Sequence, residues 1–241
     1  MDEIKRLKKI IDESNYLVFL GGAGVSTESG IPDFRSDDGL YAEKYKKYSP
    51  ETVLSHDFFV THTAEFYDYY KSNMIFPDAK PNAAHLALAK LEKRGKLKVV
   101  ITQNIDGLHT AAGSKNVIEL HGSVLRNRCL RCGKEYDVND VLKRKGVPCC
   151  DDCGGVIKPE VVLYGENLNE DAITRSVREI CNADTLIIGG TSLLVNPAAA
   201  FVRYFKGKHL VIINKTSTPY DYIAELIIRE PIAEVLSQAI K

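Results

Sequence analysis

Cys129-x2-Cys132 and Cys150-x2-Cys153 are two thiol pairs at the spacing of a four-thiolate zinc site. Four sulfur ligands leave no position for water, so such a metal is structural and not catalytic. Zinc can contribute on the order of 10–16 kcal/mol to a small module, enough to fold a short insert with few apolar residues. Cys149 is a surplus thiol; Cys150 is favoured over it as ligand because it keeps the x2 spacing. Arg131, Lys134 and Lys158 are the nearby cations available to offset thiolate charge. Cys181 falls in a helical stretch and reads as a small core residue.

A second concentration of chemistry begins at Gly21-Gly22-Ala23-Gly24, directly after the apolar run Tyr16-Leu17-Val18-Phe19-Leu20. Glycines at the end of a buried strand let the backbone turn sharply and approach a ligand. A helix starting just after them would aim free N–H groups at a pyrophosphate. The dinucleotide fingerprint is incomplete: Thr27 stands where a third glycine would be. An ordinary strand-to-helix turn uses glycine as well. Ile31-Pro32-Asp33-Phe34-Arg35 then packs an acid, an aromatic and a guanidinium behind a rigid proline, which a plain redox domain does not need.

The elements that position these groups follow from periodicity. Ile4, Leu7, Ile10 and Ile11 have helical spacing. Residues 42–76 are rich in Tyr, Lys and Phe and read as two or three short helices, their aromatics forming either a satellite core or a groove wall. Pro81 opens a helix that Gly95 ends, with Ala84, Ala87, Leu88 and Leu91 as its buried stripe. Strands are expected at 98–102, 117–120, 185–188, 209–213 and 225–228, with a last helix from Pro231. Strand–helix alternation implies a parallel, doubly wound sheet, which binds ligands outside the C-terminal strand ends. Gly22, Gln103, Asn104, Asp106, His121, Thr191, Ser192 and Asn214 would collect there.

The 241 residues suit one large domain or a domain with an insertion. Lys+Arg and Asp+Glu are both 32, so no bulk polyanion is expected as partner. No apolar run approaches the roughly 18 residues of a membrane span. The charged N-terminus lacks a secretory h-region, so a cytoplasmic location is the expectation. Six cysteines in a cytosolic chain argue for metal or thiol chemistry.

The run from Gly22 to Arg35 resembles the signature of the sirtuins, NAD-consuming protein-lysine deacylases, which reads G-A-G-x-S-x-x-S-G-I-P-D-F-R. Further blocks follow in family order: Thr102-Gln103-Asn104-Ile105-Asp106, His121-Gly122, the cysteine pairs, Lys158-Pro159-x-Val161-Val162-x-Tyr164-Gly165-Glu166, and Gly190-Thr191-Ser192-Leu193-x-Val195-x-Pro197-Ala198. They span residues 14–215, and the compact length is similar to that of small prokaryotic members. The resemblance implies an α/β protein: a Rossmann-like doubly wound parallel sheet from 1–35, 77–122 and 167–241. A smaller domain would comprise a helical part, 36–76, and a zinc-binding part, 123–166.

The implied reaction moves an acetyl group from lysine to the ADP-ribose of NAD and releases nicotinamide, a product expected also to inhibit. By the same resemblance Asn104 and Asp106 would hold the nicotinamide carboxamide, with Asn104 in the catalytic set. Gly22, Ala23, Thr27, Asp33, Arg35, Tyr41, Gln103, Ile105 and Gly190 would bind the cofactor, and Phe34 would shield its reactive carbon. Thr191, Ser192, Asn214, Lys215 and Ile232 would contact the adenosine side. His121 would be the general base that takes a ribose hydroxyl proton. An acetylated peptide would add as a strand against Gly165, Glu166 and Asn167 and a loop at Val195, with Val162 and Tyr164 lining the lysine tunnel. Zinc would sit on Cys129, Cys132, Cys150 and Cys153.

Two departures from the family pattern stand near the proposed tunnel: Tyr164 for the more usual Phe, and Asn196 where an aromatic or Gln is common. Phe66-Tyr67-x-x-Tyr70 resembles the Tyr-x-x-Arg pair of desuccinylating members but lacks the Arg, which predicts deacetylation. Two alternatives use the same residues: ADP-ribosyl transfer to protein, and a zinc-ribbon nucleic-acid or scaffold protein. Zero net charge and the embedding of the zinc module within an α/β sheet count against the latter.

Overall fold

The computed structural model describes residues 2–34, 36, 39–41 and 44–240. The chain opens with α1 (Asp2–Glu13), which turns Leu7, Ile10 and Ile11 inward as their spacing predicts. β1 (Leu17–Gly21) follows and is buried throughout. No α-helix starts after the glycines. Two 3-10 turns, Ala23–Val25 and Thr27–Ser29, carry the chain to a left-handed Gly30.

Three short helices come next: α2 (Pro50–Val53), α3 (His56–Thr61) and α4 (Thr63–Asn73). The Ser49 and Ser55 side chains accept from backbone N–H groups and start the first two. α5 (Ala83–Lys93) begins two residues after Pro81, because Asn82 caps it. His85 closes that capping box from the third helical position. β2 (Leu97–Thr102), α6 (Leu108–Ala111) and β3 (Val117–Glu119) complete the first half of the main sheet. Then come β4 (Gly122–Cys129), β5 (Glu135–Asp137), α7 (Val138–Lys143) and β6 (Ile157–Val161). The chain ends with α8 (Glu170–Asn182), β7 (Thr185–Gly189), β8 (His209–Ile213), β9 (Leu226–Ile228) and α9 (Ile232–Ala239).

The six-stranded sheet has the order β3-β2-β1-β7-β8-β9, and its neighbours pair in parallel. β1, β7 and β8 are buried along their whole length, which is why they read as unbroken apolar runs. Alternate residues feed two cores. Phe19, Ile187 and Val211 pack with α1, α5 and α9 on one face. Leu20, Ile188 and Ile212 pack with α8 and the 3-10 stretch Ala198–Tyr204 on the other. The order reverses between β1 and β7, the switch point at which such sheets bind ligands. Among the described residues no helix is long and apolar enough to cross a membrane.

A second, antiparallel sheet has the order β5-β4-β6. Its Cys129, Tyr136, Ile157 and Val161 share a third core with Phe58, Phe59, Phe66, Tyr67 and Tyr70 of the helical segment. The aromatic stretch is therefore a satellite core, and its Tyr70 and Phe76 also line a cavity. Tyr67 donates from its hydroxyl to the Ile157 carbonyl, and Lys71 reaches the carbonyls of Arg144 and Gly146 at 2.6 and 2.8 Å. Two segments far apart in the chain thus fold as one body.

The main sheet hands over to the small one at His121-Gly122. Gly122 has φ 74°, and a Cβ there would lie 1.9 Å from the Glu160 carbonyl oxygen. β4 and β6 approach too closely for any side chain. Gly122→Ala is expected to lower stability by more than the roughly 1–2 kcal/mol that a left-handed backbone costs a non-glycine residue. Thermal unfolding measures this, and an unchanged melting temperature contradicts it.

Candidate active site and metal centre

A cavity of about 610 Å³ lies over the switch point. The loop after β1 lines it with Gly22, Ala23, Ser26, Asp33 and Phe34, and the end of β2 with Gln103, Asn104, Ile105 and Asp106. His121, Val162, Tyr164, Gly165 and Glu166 enter from the junction with the small sheet. Gly190, Thr191, Ser192 and Val195 enter after β7, and Asn214 after β8. The convergence of strand ends expected from chain order is thus present. Other expected residues lie elsewhere. Thr27 is exposed, with its hydroxyl 3.2 Å from the Gly24 carbonyl. Asn167 and Lys215 are exposed outside the lining, and Ile232 is in the core on the α9 face. Tyr41 stands at the rim, its ring edge-on to Phe34 at 5.5 Å and its hydroxyl paired with that of Tyr164. Arg35 lies outside the described residues.

His121 has a defined tautomer. Its Nδ1 is 2.9 Å from the Gln103 carbonyl, which can only accept, so Nδ1 carries the hydrogen and Nε2 is the basic nitrogen. Burial lowers its pKa below the ordinary imidazole value, while that hydrogen bond acts in the opposite direction. The ring is thereby held neutral at pH 7, the state a general base requires. The His121 carbonyl also accepts from Val162 N–H at 2.9 Å, tying the histidine to the segment that leaves the small sheet.

Ser26 organises the inner end of the cavity, and no role was assigned to it from sequence although it is a fixed position of the glycine-rich signature. Its hydroxyl donates to Asp106 at 2.7 Å and accepts from the Asn104 amide at 3.0 Å. The Asp106 carboxylate also accepts from Leu108 N–H at 2.8 Å. Behind Ser26, His85 lies 3.4 Å away and His109 packs against His85 with ring centroids 4.7 Å apart. Burial first, and then the neighbouring His85, push the His109 pKa down to about 3. Neither histidine gave a sequence signal, since each falls within a helix among apolar neighbours. On the outer side, the Gln103 amide donates to Thr191 Oγ1 at 3.1 Å, linking the ends of β2 and β7.

The sulfur atoms of Cys129, Cys132, Cys150 and Cys153 lie within 4.8 Å of one another. Cys129–Cys153 and Cys132–Cys150 approach to 3.4 and 3.6 Å. A tetrahedron with zinc–sulfur bonds of about 2.3 Å has edges of about 3.8 Å, so the cluster fits zinc. Cys149 is exposed and directs its thiol at the Val147 carbonyl, away from the cluster. Of the three cations expected near the thiolates, Arg131 stays beside the cluster, its backbone N–H 3.4 Å from Cys129 Sγ and its guanidinium donating to the Cys153 carbonyl at 2.7 Å. Lys134 pairs with Asp152, and Lys158 turns away to Glu166. Cys181 is exposed, not a core residue, because it falls on the solvent face of α8.

The sequence model of the Sir2 family matches residues 22–197. The chain belongs to the Sir2 family. An NAD-dependent protein deacetylase of Clostridium acetobutylicum is 57% identical over 100% of this chain and 99% of its own. One of Clostridium tetani is 60% identical over 98% of this chain and 96% of its own. A solved Sir2 structure with a deacetylated p53 peptide and 3'-O-acetyl ADP-ribose superposes with a TM-score of 0.90 at 44% identity, covering 99% and 100% of the two chains. Another, a Sir2 protein with a p53 peptide and NAD+, gives 0.86 at 44% identity over 97% and 95%. The matched residues include both His121 and the four clustered cysteines.

The Sir2 metal centre makes a ligand-by-ligand prediction. Purified protein and Cys149→Ser should each carry one zinc per chain by metal analysis, whereas Cys150→Ser should lose it. Full zinc retention in Cys150→Ser contradicts the thiol assignment.

Proposed function

We propose that this chain is an NAD-dependent protein-lysine deacetylase that yields nicotinamide, free lysine and acetylated ADP-ribose. The relatives carry that activity in their names, and Sir2 structures hold a deacetylated p53 peptide with 3'-O-acetyl ADP-ribose, a p53 peptide with NAD+, or an acetylated peptide. The observation that carries the reading here is His121: a neutral imidazole with a defined basic nitrogen on the cavity wall. NAD, as substrate, supplies a ribose carbon that loses nicotinamide and accepts the acyl oxygen of acetyl-lysine.

The chain's own groups divide the work. Asn104 and Asp106, ordered by Ser26, hold the nicotinamide carboxamide. Gly22, Ala23, Asp33 and Gln103 receive the diphosphate and ribose, and Phe34 covers the reacting carbon against water. Gly190, Thr191, Ser192 and Asn214 receive the adenosine end. Val162 and Tyr164 line the lysine channel, and the Val162 carbonyl accepts from the lysine nitrogen. His121 Nε2 takes a ribose hydroxyl proton, which lets that oxygen attack the transferred acyl carbon; the lysine amine then leaves that carbon and a water adds in its place, so the acetyl group stays on the ribose. The peptide pairs with the backbone around Gly165. Zinc holds the small sheet in shape and takes no part in the chemistry. Nicotinamide, a product that fits the same inner pocket, inhibits.

Incubating the zinc-loaded protein with an acetylated peptide and NAD should release nicotinamide and acetylated ADP-ribose. His121→Ala should cut turnover by about 10²–10⁴-fold while zinc content and melting temperature hold. Because burial lowers the His121 pKa, protonation, and with it loss of activity, should come only below the ordinary pH 6.5 or so. An acid limb of kcat/KM centred above that value contradicts the assignment.

The acyl end is expected to be uncharged. Tyr70 is fully buried, stacks on Phe66 at 5.3 Å, and lines the cavity where desuccinylating relatives place an arginine. Its hydroxyl has no hydrogen-bond partner among the described residues. Among the described residues the cavity lining holds no Lys or Arg to pair with a dicarboxylate acyl group. On one peptide sequence, acetyl-lysine should turn over faster than succinyl-lysine; the reverse order overturns this.

A further inference from the structure

The peptide-receiving segment is tied down by one carboxylate. Glu166 accepts from Leu163 N–H at 2.9 Å, from the Lys158 ammonium at 3.1 Å and from His56 Nδ1 at 2.9 Å. These three donors come from the segment itself, from β6 of the zinc-bearing sheet, and from α3 of the helical insertion. The Glu166 and Lys158 side chains keep only 22% and 17% of their surface exposed. Lys158 also donates to the Val161 carbonyl at 3.2 Å and lies 5.9 Å from the centre of the Phe59 ring. Such a cation has little freedom to leave, unlike one on the open surface.

The backbone repeats the tie. Tyr164 N–H donates to the Leu54 carbonyl at 3.0 Å, and His56 N–H to the Tyr164 carbonyl at 2.9 Å. Both backbone groups of Tyr164 therefore face the helical insertion. Gly165 follows in a left-handed turn (φ 89°), closed by Glu166 N–H to the Leu163 carbonyl at 2.9 Å, and its own N–H has no hydrogen-bond partner among the described residues.

We propose that Glu166 is a positioning residue: its carboxylate sets the register and facing of Leu163–Glu166 so that the Gly165 backbone and the Val162–Tyr164 channel meet an incoming acyl-lysine peptide together. It acts through the segment and does not touch the peptide's side chains. This deepens the deacetylase reading and rests on it. The ligand class is a peptide bound by its backbone, with the carboxylate fixing the edge that receives it.

The test uses zinc-loaded full-length protein, Glu166→Gln, Lys158→Met and the double variant, assayed on two acetyl-lysine peptides with acidic and basic flanks. Glu166→Gln should raise the peptide KM roughly tenfold, the worth of a charge-assisted hydrogen bond. It should do so by the same factor for both peptides, with the NAD dissociation constant and zinc content unchanged. Lys158→Met should produce the same split, and the double variant should be no worse than the poorer single. A peptide KM that does not move, a loss confined to NAD affinity, a factor that depends on flank charge, or full additivity overturns the proposal. If the parent protein turns over neither peptide, the deacetylase reading falls and takes this role with it. Parent turnover with an unaffected Glu166→Gln removes only the role of Glu166.

Discussion

Everything at the site depends on two loops meeting backbone to backbone. Gly24 N–H donates to the Gly190 carbonyl at 2.8 Å, and Gly22 N–H to the Gly189 carbonyl at 3.2 Å. A Cβ on Gly24 would lie 2.8 Å from Gly190 Cα, and one on Gly190 would lie 2.4 Å from Val25 N. The ends of β1 and β7 interlock only because neither side carries a side chain there. That contact forms the floor of the cavity at the point where the strand order reverses. Ser26 leaves this floor toward Asn104 and Asp106, and Thr191 leaves it toward Gln103.

The other wall belongs to a body assembled from two inserts. The helical segment and the zinc-bearing sheet bury their aromatic and aliphatic side chains against each other, so neither has a full core alone. Their joint orientation reaches the chemistry by a short route. Gly122 brings β4 hard against β6, and Val162 N–H then binds the His121 carbonyl. The imidazole therefore sits where the two bodies are most closely joined. The cysteines that could hold zinc belong to the small sheet, whose β6 leads directly into Val162 and Tyr164 on the cavity wall.

Much of this was legible in the residues and some was not. Apolar runs located the six parallel strands to within a residue at most ends, since burial on both faces leaves a continuous signal. The thiol pairs located the metal centre because tetrahedral ligation constrains spacing. Glycine spacing leaves open whether a helix starts after β1; the loop takes 3-10 turns while its backbone binds Gly190. Lys158 was assigned to the thiolates by proximity in sequence, but extension along β6 carries its ammonium to Glu166. His85 and His109 were silent because a buried pair supporting Asp106 through Ser26 has no sequence period of its own.

The central claim is that the dinucleotide lies across the interlocked floor formed by the β1 and β7 loops. Calorimetric titration of NAD into zinc-loaded protein and into Gly24→Ala tests it most directly. The account predicts uptake of one NAD per chain by the parent and an affinity weakened at least about tenfold in Gly24→Ala, which forces the loops apart at equal zinc content. No uptake by the parent, or equal affinity in the two proteins, would contradict it.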